Sequence, residues 1–182
     1  MIVFFGPAGA GKSVQGQILA ARMGWRWLSA GQILRDTHDP EIMKTMHEGG
    51  LLPHEQITHI IGDALAKAGD IDQVILDGFP RELPQAQWLI DSQTDHGREI
   101  GLVVVLEVPR EELLKRLAIR GRVDDTPEAI DQRLAIYRQE MYPILSLFSD
   151  KTIPVVHIDG VGPVGEIHDR IFNELKNRGL SA

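Results

Sequence analysis

The stretch "GPAGAGKSVQG", residues 6–16, crowds four glycines around one lysine. Glycine loses more conformational freedom on folding than any other residue, so such a run before a helix needs a local reason. A plain turn would use one or two glycines and no particular lysine. The spacing of Gly6, Gly11, Lys12 and Ser13 instead follows G-x-x-x-x-G-K-[ST], in which successive backbone N–H groups converge on phosphate oxygens. "MIVFF" in front is a short apolar run suited to a buried parallel strand, and "VQGQILAARMG" behind has helical spacing at Val14, Ile18, Leu19 and Met23. Strand, glycine loop, helix is the context the motif requires. The helix adds its positive N-terminal end to the cradle.

The chain has 182 residues, a formal net charge of −7 and no cysteine. That length fits one domain with a sizeable core. The acidic balance argues against an extended nucleic-acid surface, so a phosphate ligand must meet a local cluster of cations. Without cysteine there are neither disulfides nor thiolate metal sites. The opening "MIVFFGP" has no basic n-region, and no apolar run is long enough to span a bilayer. A cytoplasmic monomer with no membrane or nucleic-acid partner is the expectation.

Apolar runs fit for buried strands recur in "MIVFF", "RWLS", "QVILDGF", "GLVVVLEV" and "IPVVHID". Helices are expected at 55–68, 84–92, 110–120, 126–148 and 163–178. The alternation predicts an α/β layer structure with a mainly parallel sheet. Thr126 as N-cap, Pro127 at the first helical position and Glu128 in the first turn mark one helix start. Two stretches, 36–54 and the arginine-rich 116–125, fit the sheet poorly.

In "VILDGFPR", residues 74–81, Asp77 stands at the carboxyl end of an apolar strand, the edge where open α/β sheets bind ligands. A carboxylate there can hold Mg²⁺, directly or through water, beside the phosphate loop. Taken alone, it reads equally well as a turn or cap aspartate. Arginines recur at Arg35, Arg81, Arg116, Arg120, Arg122 and Arg133, and Arg116 and Arg120 share one helix face. Any one of them is readable as a solvated side chain paired with Asp124, Asp125 or Asp131. Together they suit phosphoryl transfer, which asks a protein for cations around the phosphates rather than for covalent work. Arginine's planar fork serves that purpose better than lysine.

"GPAGAGKSVQ", "LSAGQILR", "GGLLPHE", "ILDGFPRELPQA", "RLAIRGRVDD", "RLAIYRQEMYPIL" and "IDGVGPV" stand in the order and context of the adenylate kinase family. The chain resembles that family from Met1 to about Arg178. "DGFPR" together with the phosphate loop and "GRVDD" is specific to nucleoside monophosphate kinases. The resemblance implies a P-loop NTPase fold: a five-stranded, mainly parallel sheet flanked by helices. It implies a single kinase domain over 1–182, with a core of 1–29, 60–115 and 127–182, a small helical monophosphate-binding segment at 30–59 and a minimal lid at 116–126.

Residue roles follow from the same resemblance. ATP would be held by Gly6, Ala8, Gly9, Ala10, Gly11, Lys12, Ser13 and Val14, by Arg116 and Arg120, and by Gly162 and Val164 beneath the adenine. The monophosphate would be held by Ala30, Arg35, Leu52, Gly78, Arg81, Gln85, Arg122 and Arg133, with Gln85 hydrogen-bonding the base. Lys12, Arg81, Arg120, Arg122 and Arg133 would be catalytic, and Ser13 and Asp77 would hold the Mg²⁺ that accompanies ATP. The implied reaction is ATP + AMP = 2 ADP. A UMP/CMP kinase is the alternative, and a non-catalytic nucleotide-binding regulator or a hydrolase is more distant.

Departures from the family's pattern bear on these roles. Ser13-Val14 replaces Gly-Thr after the lysine, restoring a hydroxyl but losing a polar contact to the donor phosphates. Ala30 resembles the UMP/CMP kinase branch, whereas Gln85 resembles the adenylate kinase branch. The acceptor segment 36–48 is short, and Gly121-Arg122 joins what longer members separate by a mobile insertion. A structural zinc in that lid is impossible without cysteine. The histidines His38, His47, His54, His59, His96, His157 and His168 are scattered without ligand spacing and are expected at the surface. Trp25 and Trp27 read as core or rim packing.

Overall fold

Each apolar run becomes a strand and every neighbouring pair is parallel; the three central strands, at residues 2–5, 74–77 and 102–107, are buried on both faces, whereas the two edge strands are only partly buried. In the computed structural model, which describes residues 1–69, 71 and 73–180, β1 (Ile2–Phe5) leads through the glycine loop into α1 (Lys12–Met23). β2 (Arg26–Ser29) is followed by α2 (Ala30–Asp36), α3 (Pro40–His47) and α4 (His54–Lys67). Then come β3 (Val74–Asp77), α5 (Leu83–Asp91), β4 (Leu102–Glu107), α6 (Arg110–Arg120), α7 (Pro127–Asp150), β5 (Val155–Asp159) and α8 (Val164–Asn177). The sheet runs β2-β3-β1-β4-β5. From central β1 the chain builds one side and then crosses to the other, so the switch point lies beside the loop at residues 6–11. That crevice is where doubly wound sheets take ligands.

The period of two along each strand divides the core. Val3, Phe5, Leu76, Val103 and Val105 face one layer, which Leu34, Ile61, Leu65, Leu89, Ile144 and Phe148 cover from α2, α4, α5 and the later part of α7. Ile2, Phe4, Ile75, Val104 and Leu106 face the other, covered by Leu19, Leu113, Leu117, Leu134 and Ile171 from α1, α6, the start of α7 and α8. Among the described residues, no helix is long and apolar enough to cross a membrane.

The two stretches that fit no strand resolve differently. Within 36–54 lies α3, where the Asp39 side chain accepts from the Glu41 and Ile42 N–H groups and Pro40 occupies the first turn. In 116–125, α6 carries through Arg120 before Gly121 caps it in the left-handed region at φ 57°, its N–H donating to the Leu117 carbonyl. Only the turn from Gly121 to Thr126 therefore separates α6 from α7. Three histidines depart from the surface expectation: His54 and His96 are half-buried, and the third lies deeper. His168 is buried between helices, with Nε2 3.2 Å from an Arg22 nitrogen and its ring stacked on Phe172. Trp27 packs over Gly16, where an added Cβ would come within 2.7 Å of the indole.

The turn after α3 docks on the start of α7 through a glycine. Gly49 has φ 75°, and a Cβ there would lie 2.6 Å from the Ala129 carbonyl oxygen, a backbone atom that cannot swing aside. Gly49→Ala should cost about 2–4 kcal/mol, from left-handed strain plus overpacking. Gly24→Ala, at φ 70° with no atom within 4 Å of its Cβ, should cost only about 1 kcal/mol from strain. Urea denaturation of both variants checks the difference.

Candidate active site

Parallel pairing brings the carboxyl ends of β1, β2 and β3 to one edge, with Asp77 level with Phe4 on one side and Ser29 on the other. Above that edge opens a cavity of about 470 Å³. The loop at residues 6–11 forms its floor, bent by Gly9 at φ 85° and Gly11 at φ 98° and closed by the Ala10 N–H on the Pro7 carbonyl at 3.2 Å. α1 starts at Gly11 with no side-chain cap, as befits a helix end that faces a ligand. Lys12 Nζ donates to the Gly6 carbonyl at 2.8 Å and the Pro7 carbonyl at 2.9 Å, so the loop wraps its ammonium. Burial lowers the Lys12 pKa to about 8; Arg81 and Arg120 push the same way, and Asp77 opposes them. Ser13 Oγ donates to Asp77 Oδ2 at 2.6 Å, and Asp77 is 2 % exposed.

The opposite wall is built by α2, the turn after β3 and α5. Ala30, Leu52, Gly78 and Gln85 line it, with Arg35 and Arg81. Arg81 Nε donates to the Gly78 carbonyl at 2.9 Å, and its backbone N–H donates to Gln85 Oε1 at 2.8 Å. Burial lowers the Arg81 pKa from its ordinary value, with Arg133 and Arg35 adding to the effect and Asp77 and Asp124 resisting it. Arg35 holds the side-chain oxygen of Gln32 at 3.3 Å.

Two aspartates tie the remaining cations together. Arg133 donates to Asp124 Oδ2 at 2.6 Å, to Asp125 Oδ1 at 3.1 Å and to the Met46 carbonyl at 2.8 Å. Arg120 Nε donates to Asp125 Oδ2 at 2.7 Å, and a second Arg120 nitrogen engages the other oxygen. Burial alone would raise the Asp125 carboxyl, but Arg120 and Arg133 outweigh it and hold the group below the usual carboxylate range. Arg122, on the turn itself, has its pKa lowered by burial, then by Arg120 and Arg35. The pairing with aspartates and the convergence on a cavity are thus the same arrangement. Asp131 stands apart, paired with Arg110 at 3.1 Å.

Most of the residues singled out in the sequence line this one cavity. Three do not: Ala10 is buried beneath the loop, and Gly162 and Val164 lie off the wall. Arg116 donates to the Gly160 carbonyl at 2.9 Å and the Ala10 carbonyl at 3.4 Å, and Gln15 Nε2 donates to the Val164 carbonyl at 2.9 Å. Sequence reasoning missed Ile136, Tyr137 and Glu140, which follow Arg133 at helical spacing and extend its face of α7 along the cavity. Glu140 Oε2 accepts from the Leu83 N–H at 3.2 Å, and the Tyr137 ring lies 5.6 Å from Phe5. That spacing was the available signal.

Comparison with known proteins identifies the lineage. The family profile described as adenylate kinase matches residues 4–153. An adenylate kinase of Thermobifida fusca is 36% identical over 187 residues, covering 97% of this chain and 98% of that protein. One from Thermus thermophilus is 36% identical over 180 residues, covering 93% and 94% respectively. One from Mycolicibacterium paratuberculosis is 35% identical, covering 96% and 98%. The chain belongs to the adenylate kinase family. It is accordingly a nucleoside monophosphate kinase, an enzyme that binds nucleotides and transfers a phosphoryl group between them.

For a kinase of this family, the lowered Lys12 pKa has a measurable consequence. Below pH 8 the ammonium is protonated; as pH rises through about 8 it loses that charge. Polyphosphate entering the loop favours the charged form. ATP binding at pH 8 should therefore take up roughly half a proton, the fraction missing at a pKa of about 8. The uptake should fade by pH 6. Titration calorimetry in buffers of different ionisation enthalpy checks it.

Proposed function

We propose that this kinase catalyses ATP + AMP = 2 ADP, with Lys12 and the four arginines Arg81, Arg120, Arg122 and Arg133 as its catalytic groups. The observation that carries the reading is their convergence on a single cavity whose far wall presents Arg35 and the buried amide of Gln85. ATP phosphates lie over the loop at residues 6–14, and Arg116, Gly162 and Val164 meet the donor's adenosine. The monophosphate enters between α2 and α5, in an acceptor segment of 30–59, where Arg35 and Arg81 take its phosphate. An oxygen of that phosphate attacks the γ-phosphorus; the new O–P bond forms as the bond to the β–γ bridging oxygen breaks, and the charge passes to the departing ADP. The nucleophile is already an anion, so no protein base is required. The arginines stabilise the transferring group, the kind of preorganised electrostatic effect that dominates such reactions.

The reading includes Mg²⁺ carried in with ATP. The buried Asp77 carboxylate and the Ser13 hydroxyl, already 2.6 Å apart at the loop, are a fitting oxygen pair to hold it directly or through water. Bound there, the ion neutralises charge on the donor phosphates. The other parts of the reading are a monomer acting in the cytoplasm on small nucleotides.

A coupled assay of ATP against AMP, CMP, UMP and GMP should give AMP the highest kcat/KM. A higher value for UMP or CMP would transfer the assignment to the pyrimidine kinases. Lys12→Met and Arg81→Ala should each cut turnover by about a hundredfold or more, the range for a lost transition-state donor. Both variants should keep a cooperative unfolding transition. Turnover like the parent's in either would remove its residue from the catalytic set.

A further inference from the structure

The amide of Gln85 is held at both ends. Oε1 accepts the Arg81 backbone N–H at 2.8 Å, and Nε2 donates to Glu82 Oε2 at 2.9 Å. Gln85 is 2 % exposed and lines the cavity, whereas Glu82 is not on its wall. A glutamine amide alone can rotate by half a turn, exchanging its oxygen and its NH2. Here the exchange would set a carbonyl oxygen against a carboxylate and an NH2 against an N–H. Both contacts would become repulsive. An ionised carboxylate can only accept, and a backbone N–H can only donate.

We infer that Glu82 is a specificity-determining positioning residue, which together with the Arg81 backbone N–H locks the Gln85 amide in one orientation and so admits monophosphates bearing an amino base over those bearing a keto base. The inference rests on the proposed contact between Gln85 and the acceptor base. With one lone pair of Oε1 and one hydrogen of Nε2 engaged, each end keeps a single function for a ligand. Adenine presents a ring nitrogen that accepts beside an amino group that donates. Uracil and guanine present the reverse, a ring N–H beside a carbonyl oxygen. A freely rotating amide would read either pattern; a locked one reads one. The keto base then meets donor against donor and acceptor against acceptor, and groups left unpaired in this way underlie the strongest substrate discrimination. Ala30, on the same wall, carries no hydroxyl that could choose between bases.

The test is Glu82→Gln, nearly isosteric, whose own amide can face Gln85 with either its oxygen or its NH2. Glu82→Ala serves as a second variant, and neither change removes a helix cap, because the Glu82 side chain makes no cap hydrogen bond to α5. The readout is the ratio of kcat/KM for AMP to that for UMP, with the KM for ATP measured alongside. In both variants the ratio should fall by about tenfold, the worth of one lost orienting contact, while the KM for ATP holds. A ratio unchanged from the parent, with the KM for AMP and UMP rising together, would assign Glu82 a merely structural role and overturn the inference. A parent enzyme that prefers UMP would instead overturn the reading of AMP as acceptor, whatever the variants do.

Discussion

A crowd of positive charge at one sheet edge, in a chain whose net charge is −7, is the constraint around which the rest is arranged. Lys12, Arg81, Arg120, Arg122 and Arg133 line one cavity, and the pKa values of Lys12, Arg81 and Arg122 are lowered, first by desolvation and then by the neighbouring cations. Like charges about 4 Å apart repel by about 4 kcal/mol even at an effective dielectric of 20. Three aspartates answer that repulsion. Asp77 faces Lys12 and Ser13 from β3, while Asp124 and Asp125 hold Arg120 and Arg133 from the turn after α6. Phosphates arriving in such a site meet cations already in position, so little reorganisation is left for the moment of transfer.

The fold exists to hold that edge still. The all-parallel sheet fixes Asp77 beside the glycine loop through strand register, which a one-residue slip would turn to the opposite face. α7 ties the layers together: its start carries Arg133 over the cavity, and Ile144 and Phe148 further along anchor it in the core. The turn from Gly121 to Thr126 is short, yet it carries Arg122, Asp124 and Asp125. Half of its residues are charged, and Gly121 and Thr126 cap the helices on either side.

The fold was largely legible because its signals are local. Apolar runs of four to six residues gave the strands, and the glycine loop located the switch point. α2 and α3 were expected only as a helical segment over 30–59 without bounds, although "DPE" at residues 39–41 is a cap signature, because helices of seven and eight residues are too short to show a helical period. The buried His168 was unreadable for a different reason: its partner Arg22 lies on α1, which only folding brings against α8. The same holds for the site. Lys12, Asp77 and the arginines carry motif spacing, whereas Glu82, Tyr137 and Glu140 matter through partners distant in the chain or through an amide whose orientation no pattern records. Loop 160–164 was expected beneath the donor base, and the structure ties it to a cavity-lining side chain through Arg116, which donates to the Gly160 carbonyl.

The proposed reaction requires that one cavity hold donor and acceptor phosphate to phosphate among a single set of cations. The most direct test is calorimetric titration with a bisubstrate compound, two adenosines joined by five phosphates. One molecule should bind per chain, more tightly than ATP or AMP by about a hundredfold or more as two binding events become one, and it should exclude both nucleotides at once. Two molecules bound per chain, or ATP binding undiminished in its presence, would contradict the account.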